Sequence, residues 1–292
     1  MKKLVFLGCE NYHALQFLEF IRDNEKYNDI EVLGVYSHDD DASKNLADKF
    51  GVKILSRFDE CVDDADGVVI TARHGDKHLE YALPYMKKPI TIFMDKPVTI
   101  SEDDSVRFIK LARDNNIKIS GGSTLRYDAW VEELAKVEKE QLDGETLGGY
   151  VRCPVSMGNP NGGFFFYAQH LVETVLTIFG FYPNSVYASK SGNNVNVQFN
   201  YESFQVTGLF VDEVYTPYYA MRMAKNGAQG STFIVNGANL CFAKEFDEFY
   251  DVLSGASQVA DYKNFISPVF VMNAIHRSLE SGKEEKVNEI II

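Results

Sequence analysis

The chain has 292 residues, 45% of them hydrophobic and 24% charged, a composition ordinary for a folded protein long enough to hold two cores and unlike that of a disordered or fibrous chain. A formal net charge of -13 repels a phosphate backbone, so nucleic acid is not an expected partner. No stretch approaches the ~20 apolar residues that a membrane-crossing helix needs. Cys9, Cys61, Cys153 and Cys241 stand far apart with no Cys-x-x-Cys spacing, which suits the reducing cytoplasm.

Met1-Lys2-Lys3 precedes an apolar stretch too short for a signal peptide, so Leu4 to Leu7 reads as a first strand. Ala14 to Arg22 follows as an amphipathic helix with Leu15, Leu18 and Ile21 on one stripe, and Val32 to Tyr36 as a second strand. Then come a short helix Ser43 to Phe50, strands Val52 to Leu55 and Gly67 to Thr71, and a helix Lys77 to Met86. A strand Ile90 to Met94, a helix Glu102 to Asn115 and a strand Lys118 to Ser120 complete the series. Such alternation predicts a Rossmann-like α/β domain with a doubly wound, mostly parallel sheet over residues 1–122, bounded by Gly121-Gly122.

Residues 123–292 read as an α+β domain. A helix over Val131 to Gln141 leads to a strand Tyr150 to Cys153 stopped by Pro154, and a helix Ala168 to Phe179 follows. Ser185 to Lys190, Val195 to Tyr201, Phe204 to Val211, Tyr218 to Met223 and Ser231 to Val235 then predict an open, mostly antiparallel sheet. Helices Phe242 to Ser254 and Ser267 to Ser281 close the chain, the second stopped by Gly282.

Asp95-Lys96-Pro97 carries the most chemistry, because ligands of open α/β sheets collect at the carboxyl ends of strands, where Lys96 emerges. His170 and Glu173, three residues apart, fall on one face of a helix. An ammonium, an imidazole and a carboxylate are the parts of a proton-transfer site, although a lone helix histidine is more often structural. Phe164-Phe165-Phe166-Tyr167 just before them reads as core for at least two members and otherwise as a pocket wall.

The turn Gly8-Cys9-Glu10-Asn11-Tyr12-His13 has only the first of the three glycines of a dinucleotide turn. It reads either as a weakened cofactor site, with Glu10 repelling the pyrophosphate unless its side chain turns away, or as a tight turn without ligand. Ser37 and His38 follow Tyr36 at the end of the second strand and Ser37 accepts either cofactor, while Asp39-Asp40-Asp41 disfavours a 2′-phosphate or forms a solvated loop, so NAD is favoured over NADP. His74 and His78 have a spacing that grips zinc only with further ligands, and no metal is expected. Arg126 reads as a substrate contact or an interdomain ion pair, and Trp130 as a packing anchor.

In this order the motifs resemble the glucose-fructose oxidoreductase, inositol dehydrogenase and rhizopine-catabolism (Gfo/Idh/MocA) family over essentially the whole chain. The residues that carry the resemblance are Asp95-Lys96-Pro97 for Glu-Lys-Pro, Thr71-Ala72-Arg73 to His78, Arg126, and the final helix through Ser278-Leu279-Glu280-Ser281-Gly282-Lys283. The resemblance implies nicotinamide cofactor (NAD or NADP) on the first domain, with Gly8, Asn11, Tyr12, Ser37, His38, Thr71, Arg73, His78, Asp95 and Lys96 as candidate contacts. It implies catalytic roles for Lys96, His170 and Glu173, a substrate site of Lys96, Arg126, Phe166 and His170, and a homo-oligomer formed through the open sheet. Phe166 stands where the family commonly has an aspartate.

The expectation is an NAD(P)-dependent dehydrogenase or reductase acting on a sugar, a cyclitol or a related polyol. In it His170 takes the hydroxyl proton, Lys96 steadies the alkoxide, Glu173 sets the histidine tautomer and Asp95 backs Lys96. The rival is a sugar- or dinucleotide-sensing protein on the same fold, favoured by Glu10, His13 and Phe166.

Overall fold

The computed structural model describes residues 1–233 and 238–292. Five strands, β1 (Lys2–Leu7), β2 (Ile30–Tyr36), β3 (Gly67–Ile70), β4 (Thr91–Asp95) and β5 (Lys118–Gly122), pair in parallel in the order β2-β1-β3-β4-β5. Helices α1 (Tyr12–Asp23), α2 (Asp40–Phe50), α3 (Asp76–Ala82) and α4 (Glu102–Asp114) connect them. Every residue of β3 and β4 is buried, as continuous apolar strands covered on both faces must be.

Local differences from the sequence reading have simple causes. Val52 to Leu55 makes only one bridge, Val35 to Ile54, because Ile54 is exposed and only Leu55 of the run is buried. The inner face of α1 is Ala14, Phe17 and Leu18, with Leu15 and Ile21 on its margin. The start of α2 moves forward to Asp40 because the Asp39 carboxylate accepts from Ala42 N at 3.1 Å, and Asp40 and Asp41 lie in a first turn whose dipole favours anions. The acidic run is thus a helix start rather than a free loop. Past Ala82 the helix tightens to a 3-10 turn, Leu83–Tyr85, at Pro84.

The second sheet has seven strands: β6 (Thr146–Val155), β7 (Ser185–Ser191), β8 (Asn194–Asn200), β9 (Gln205–Asp212), β10 (Tyr218–Ala224), β11 (Gly227–Phe233) and β12 (Glu285–Lys286). Their order is β11-β10-β6-β9-β8-β7-β12, antiparallel except for the β6–β9 pair. Pro154 does not stop β6. The ladder to β10 ends at Arg152 while that to β9 runs on to Val155, so the proline stands where one side of the strand has no partner. Val235, expected at the end of β11, lies outside the described residues.

Helices α5 (Ala129–Glu140), α6 (Phe164–Phe179) and α8 (Tyr262–Ser281) belong to this second layer, and α8 ends at Gly282 with φ +65°. Helix α7 (Ala238–Leu253) returns instead to the first sheet and packs on β4, β5 and α1. Its Phe246 and Phe249 share one apolar cluster with Phe17 and Phe93. The layer over the first sheet is therefore completed from beyond residue 122.

Candidate functional site

Strand β4 delivers Asp95 and Lys96 to the carboxyl edge of the first sheet. Lys96 is buried, its Nζ donates to the Phe166 carbonyl at 3.3 Å, and it lies 4.5 Å from the centre of the Phe166 ring and 5.2 Å from that of Tyr167. Burial pushes the ammonium pKa below the ordinary lysine value against the pull of Asp95. Asp95 does back Lys96, but through the main chain, where Oδ1 accepts from Lys96 N at 2.7 Å. Its Oδ2 accepts from Asn11 Nδ2 at 2.8 Å and lies 3.1 Å from His13 Nδ1.

Helix α6 brings His170 to the same place, and Ser123, the residue after β5, meets it with Oγ 2.7 Å from Nδ1. Burial holds this imidazole well below its ordinary pKa, and Lys96 adds to the effect, so the ring is neutral. Glu173 shares the helix face with His170, yet its carboxylate reaches past the ring to the backbone. Its Oε2 accepts from Ser123 N and from Gln169 Nε2, each at 2.8 Å, so Ser123 and not Glu173 touches the imidazole. Gly122, with φ +97°, makes this possible, because a Cβ there would stand 2.7 Å from Glu173 Oε1. Burial raises the Glu173 pKa to about 7, opposed by the Arg126 guanidinium. Gln169 also accepts from Val98 N at 3.0 Å, tying the segment after Lys96 to α6.

Lys96 and His170 line one cavity of about 450 Å³ with Asn11, Tyr12, His13 and Arg73 from the edge of the first sheet. Phe166, Tyr167, Tyr215, Tyr218 and Phe242 give it aromatic walls. The aromatic run is thus divided, since Phe164 is buried in the core and Phe165 packs against it.

Other sequence candidates go elsewhere. Arg126 is partly buried, with one guanidinium nitrogen on Glu248 at 2.8 Å and on the Tyr127 hydroxyl while its Nε has no partner, so it forms an internal ion pair away from the cavity lining. His78 is wholly buried with Nε2 on the Ala72 carbonyl at 2.7 Å, and Thr71 Oγ1 donates to the Gly8 carbonyl at 3.0 Å. Thr71 holds the end of β3 against the glycine turn, and His78 ties the loop after β3 to α3. Gly8 itself has φ +72°, and a Cβ on it would lie 2.4 Å from Ala72 Cα. His38 packs edge-on to Tyr36. Trp130 donates to the Ala220 carbonyl at 3.1 Å, joining α5 to β10. Among the described residues no group of three or more His, Cys, Asp or Glu side chains is placed to hold a metal.

Sequence reasoning missed Ser123, Gln169, Thr124 and Glu245. His13 Nε2 lies 2.8 Å from Thr124 Oγ1 and 3.5 Å from Glu245, which comes from α7. Ser123 had a readable signal, its place at the carboxyl end of a parallel strand. Glu245 had none, because only the return of α7 to the first sheet brings it near.

The chain thus joins a doubly wound sheet, whose strand ends present a lysine to the cavity that also holds a neutral histidine, to a second, open sheet. Residues 2–123 of the chain match the family described as "Oxidoreductase family, NAD-binding Rossmann fold". The chain is similar in structure to a putative myo-inositol dehydrogenase from Sinorhizobium meliloti 1021, with a TM-score of 0.84, 16% identity and coverage of 99% of this chain and 100% of that one. Myo-inositol 2-dehydrogenase from Lactobacillus plantarum gives a TM-score of 0.84 at 13% identity over 98% of this chain and 99% of that one. GenD2 from gentamicin A biosynthesis, in complex with NAD, gives 0.85 at 12% identity over 99% of this chain and 97% of that one. At such identities the likenesses define the fold. No curated protein matches the chain by sequence.

Proposed function

We propose that the protein is an NAD-dependent dehydrogenase or reductase acting on a hydroxyl or carbonyl of a sugar, a cyclitol or a related polyol, in the cytoplasm. The observation that carries this reading is the shared cavity of Lys96 and His170 at the strand ends. A dinucleotide fits the chain's own residues there: Gly8 makes the tight turn, Asn11 caps α1, and Asn11, Tyr12, Arg73 and Lys96 line the cavity. When bound, the nicotinamide gives or takes the hydride.

The rest is the work of side chains. Nδ1 of His170 faces Ser123, which leaves Nε2 for the substrate, and with Nδ1–H donating to Ser123 Oγ the Nε2 lone pair takes the hydroxyl proton. The Lys96 ammonium steadies the negative charge that develops on that oxygen. Glu173 and Gln169 fix Ser123 and the Lys96 segment. The aromatic walls suit the C–H faces of a ring polyol, the chemistry named for the inositol dehydrogenases of similar fold. All four cysteines are free and buried, which agrees with a reducing compartment.

The second sheet carries exposed Leu147, Tyr187 and Met223 and forms the contact of a homo-oligomer, for which light scattering at micromolar concentration is the check. The functional reading is tested by thermal shift with NAD, NADH, NADP and NADPH, since a ligand at 100 times its dissociation constant adds about 2.7 kcal/mol. A cyclitol and hexose panel follows with the cofactor that binds. Absence of any dinucleotide shift together with a shift by a sugar moves the assignment to a sensor, the reading that Glu10 in the phosphate turn favours.

A further inference from the structure

The side chain of Glu10 does not turn away from the strand ends. Its Oε2 accepts from Ser37 Oγ at 2.6 Å and its Oε1 accepts from Arg73 N at 3.0 Å, so it spans from the residue after β2 to the loop after β3. Ser37 is buried, and its oxygen accepts from Asp39 N at 3.0 Å. Its single proton is therefore committed to Glu10.

In a dinucleotide fold a carboxylate at the end of the second strand accepts the ribose hydroxyls. Here β2 ends in Tyr36-Ser37, and of the acidic residues that follow, Asp39 caps α2 while Asp40 and Asp41 sit in its first turn. A carboxylate nevertheless stands at the end of β2, delivered from the turn after β1.

We propose that Glu10 is the ribose-binding carboxylate of this protein, relocated to the second-glycine position, and that it selects a dinucleotide with a free 2′-hydroxyl against one with a 2′-phosphate. The inference rests on the cofactor reading above. A ribose diol brings O–H donors, which match a carboxylate acceptor. A 2′-phosphate brings nearly two negative charges and acceptors. Ser37 offers that phosphate no proton, and Ser37-His38-Asp39-Asp40-Asp41 contains no lysine or arginine to neutralise it. The residue that spoils the glycine pattern thus restores the acceptor that β2 lacks.

The test is binding alone, by NADH and NADPH titration of wild type, Glu10→Gln and Glu10→Asp, followed by nicotinamide fluorescence. Wild type should prefer NADH by about tenfold or more, which corresponds to about 1.4 kcal/mol. Glu10→Gln keeps the length and loses the charge, so the preference should fall to within about threefold, chiefly through tighter NADPH. Glu10→Asp keeps the charge, and should still reject NADPH while binding NADH more weakly. An unchanged preference in Glu10→Gln, an equal gain for both cofactors, or acceptance of NADPH by Glu10→Asp overturns the role given to Glu10 while leaving cofactor binding intact. Binding of neither dinucleotide by wild type and both variants overturns the cofactor reading, and this one with it.

Discussion

His13 Nδ1 lies 3.1 Å from the Asp95 carboxylate, which places a buried cation directly behind the strand end that carries Lys96. The position belongs to the third glycine of a dinucleotide turn, where a missing side chain normally lets helix and strand approach. Here the imidazole fills that space and joins α1, β4 and α7 through Asp95, Thr124 and Glu245. The departure from the glycine pattern is thus compensated by a charge network rather than left as a defect.

That network makes stability depend on pH. Burial disfavours the His13 cation, but Asp95 and Glu245 outweigh it and raise the pKa to about 9. A raised histidine pKa gives stability that is full below its unfolded value of about 6.5 and lost as pH climbs through about 9, on the order of 3 kcal/mol in all. His13→Asn should cost a similar amount near neutral pH, because it leaves two buried carboxylates facing each other. Thermal melts from pH 6 to 10 should show the gap between wild type and variant closing with alkalinity, and a constant gap would refute the ion-pair account.

How far the sequence reveals this site depends on how local each part is. Lys96 and His170 are legible because a strand end and a helix face are properties of a few neighbouring residues, and the structure brings them into one cavity. The partners are less legible. A spacing of three places Glu173 beside His170 but does not say that its carboxylate will choose the backbone N–H of Ser123. Arg126 reads as a substrate contact or an ion pair, and Glu248 from a distant helix makes it the second. Neither Glu245 nor Glu248 is readable, because the packing of α7 on the first sheet follows from the shape of the whole and not from any pattern in its own residues. For the fold, alternation finds most strands; it misses β12 and overcalls Val52 to Leu55, and the other errors fall at helix ends and at Pro154, where capping, proline and edge position override propensity.

Glu173 provides the opposite pH signature. Its pKa, raised to about 7 chiefly by burial, means that the folded chain resists ionising it. Stability is therefore undiminished below the ordinary glutamate value and falls as pH rises toward 7, by on the order of 3 kcal/mol. Glu173→Gln keeps an oxygen for Ser123 N and Gln169 while removing the charge. It should melt at a higher temperature than wild type above pH 7 and at the same temperature near pH 4. A lower melting temperature throughout would show that the carboxylate is needed for its charge opposite Arg126.

Lys96 and His170 should act on one hydroxyl, so replacing either should damage turnover far more than cofactor affinity. Lys96→Met keeps length and removes the charge, and His170→Asn keeps a polar group and removes the base, each costing about 100- to 10,000-fold in kcat. The double variant should lose little more than the worse single, since both groups serve one transition state. Ser123 is a positioning residue here. Ser123→Ala frees Nδ1 and should lower kcat by about 10-fold with cofactor affinity unchanged, while Ser123→Thr, which restores the hydroxyl, should recover most of it. Because burial holds the His170 pKa well below its ordinary value, kcat should stay level through the usual histidine range as pH falls and drop only below it. The lowered pKa of Lys96 places the alkaline limb under the ordinary lysine range. Initial rates with saturating cofactor across pH decide the matter: near-wild-type kcat in His170→Asn, or an acid limb at the free-histidine value, removes His170 as the base.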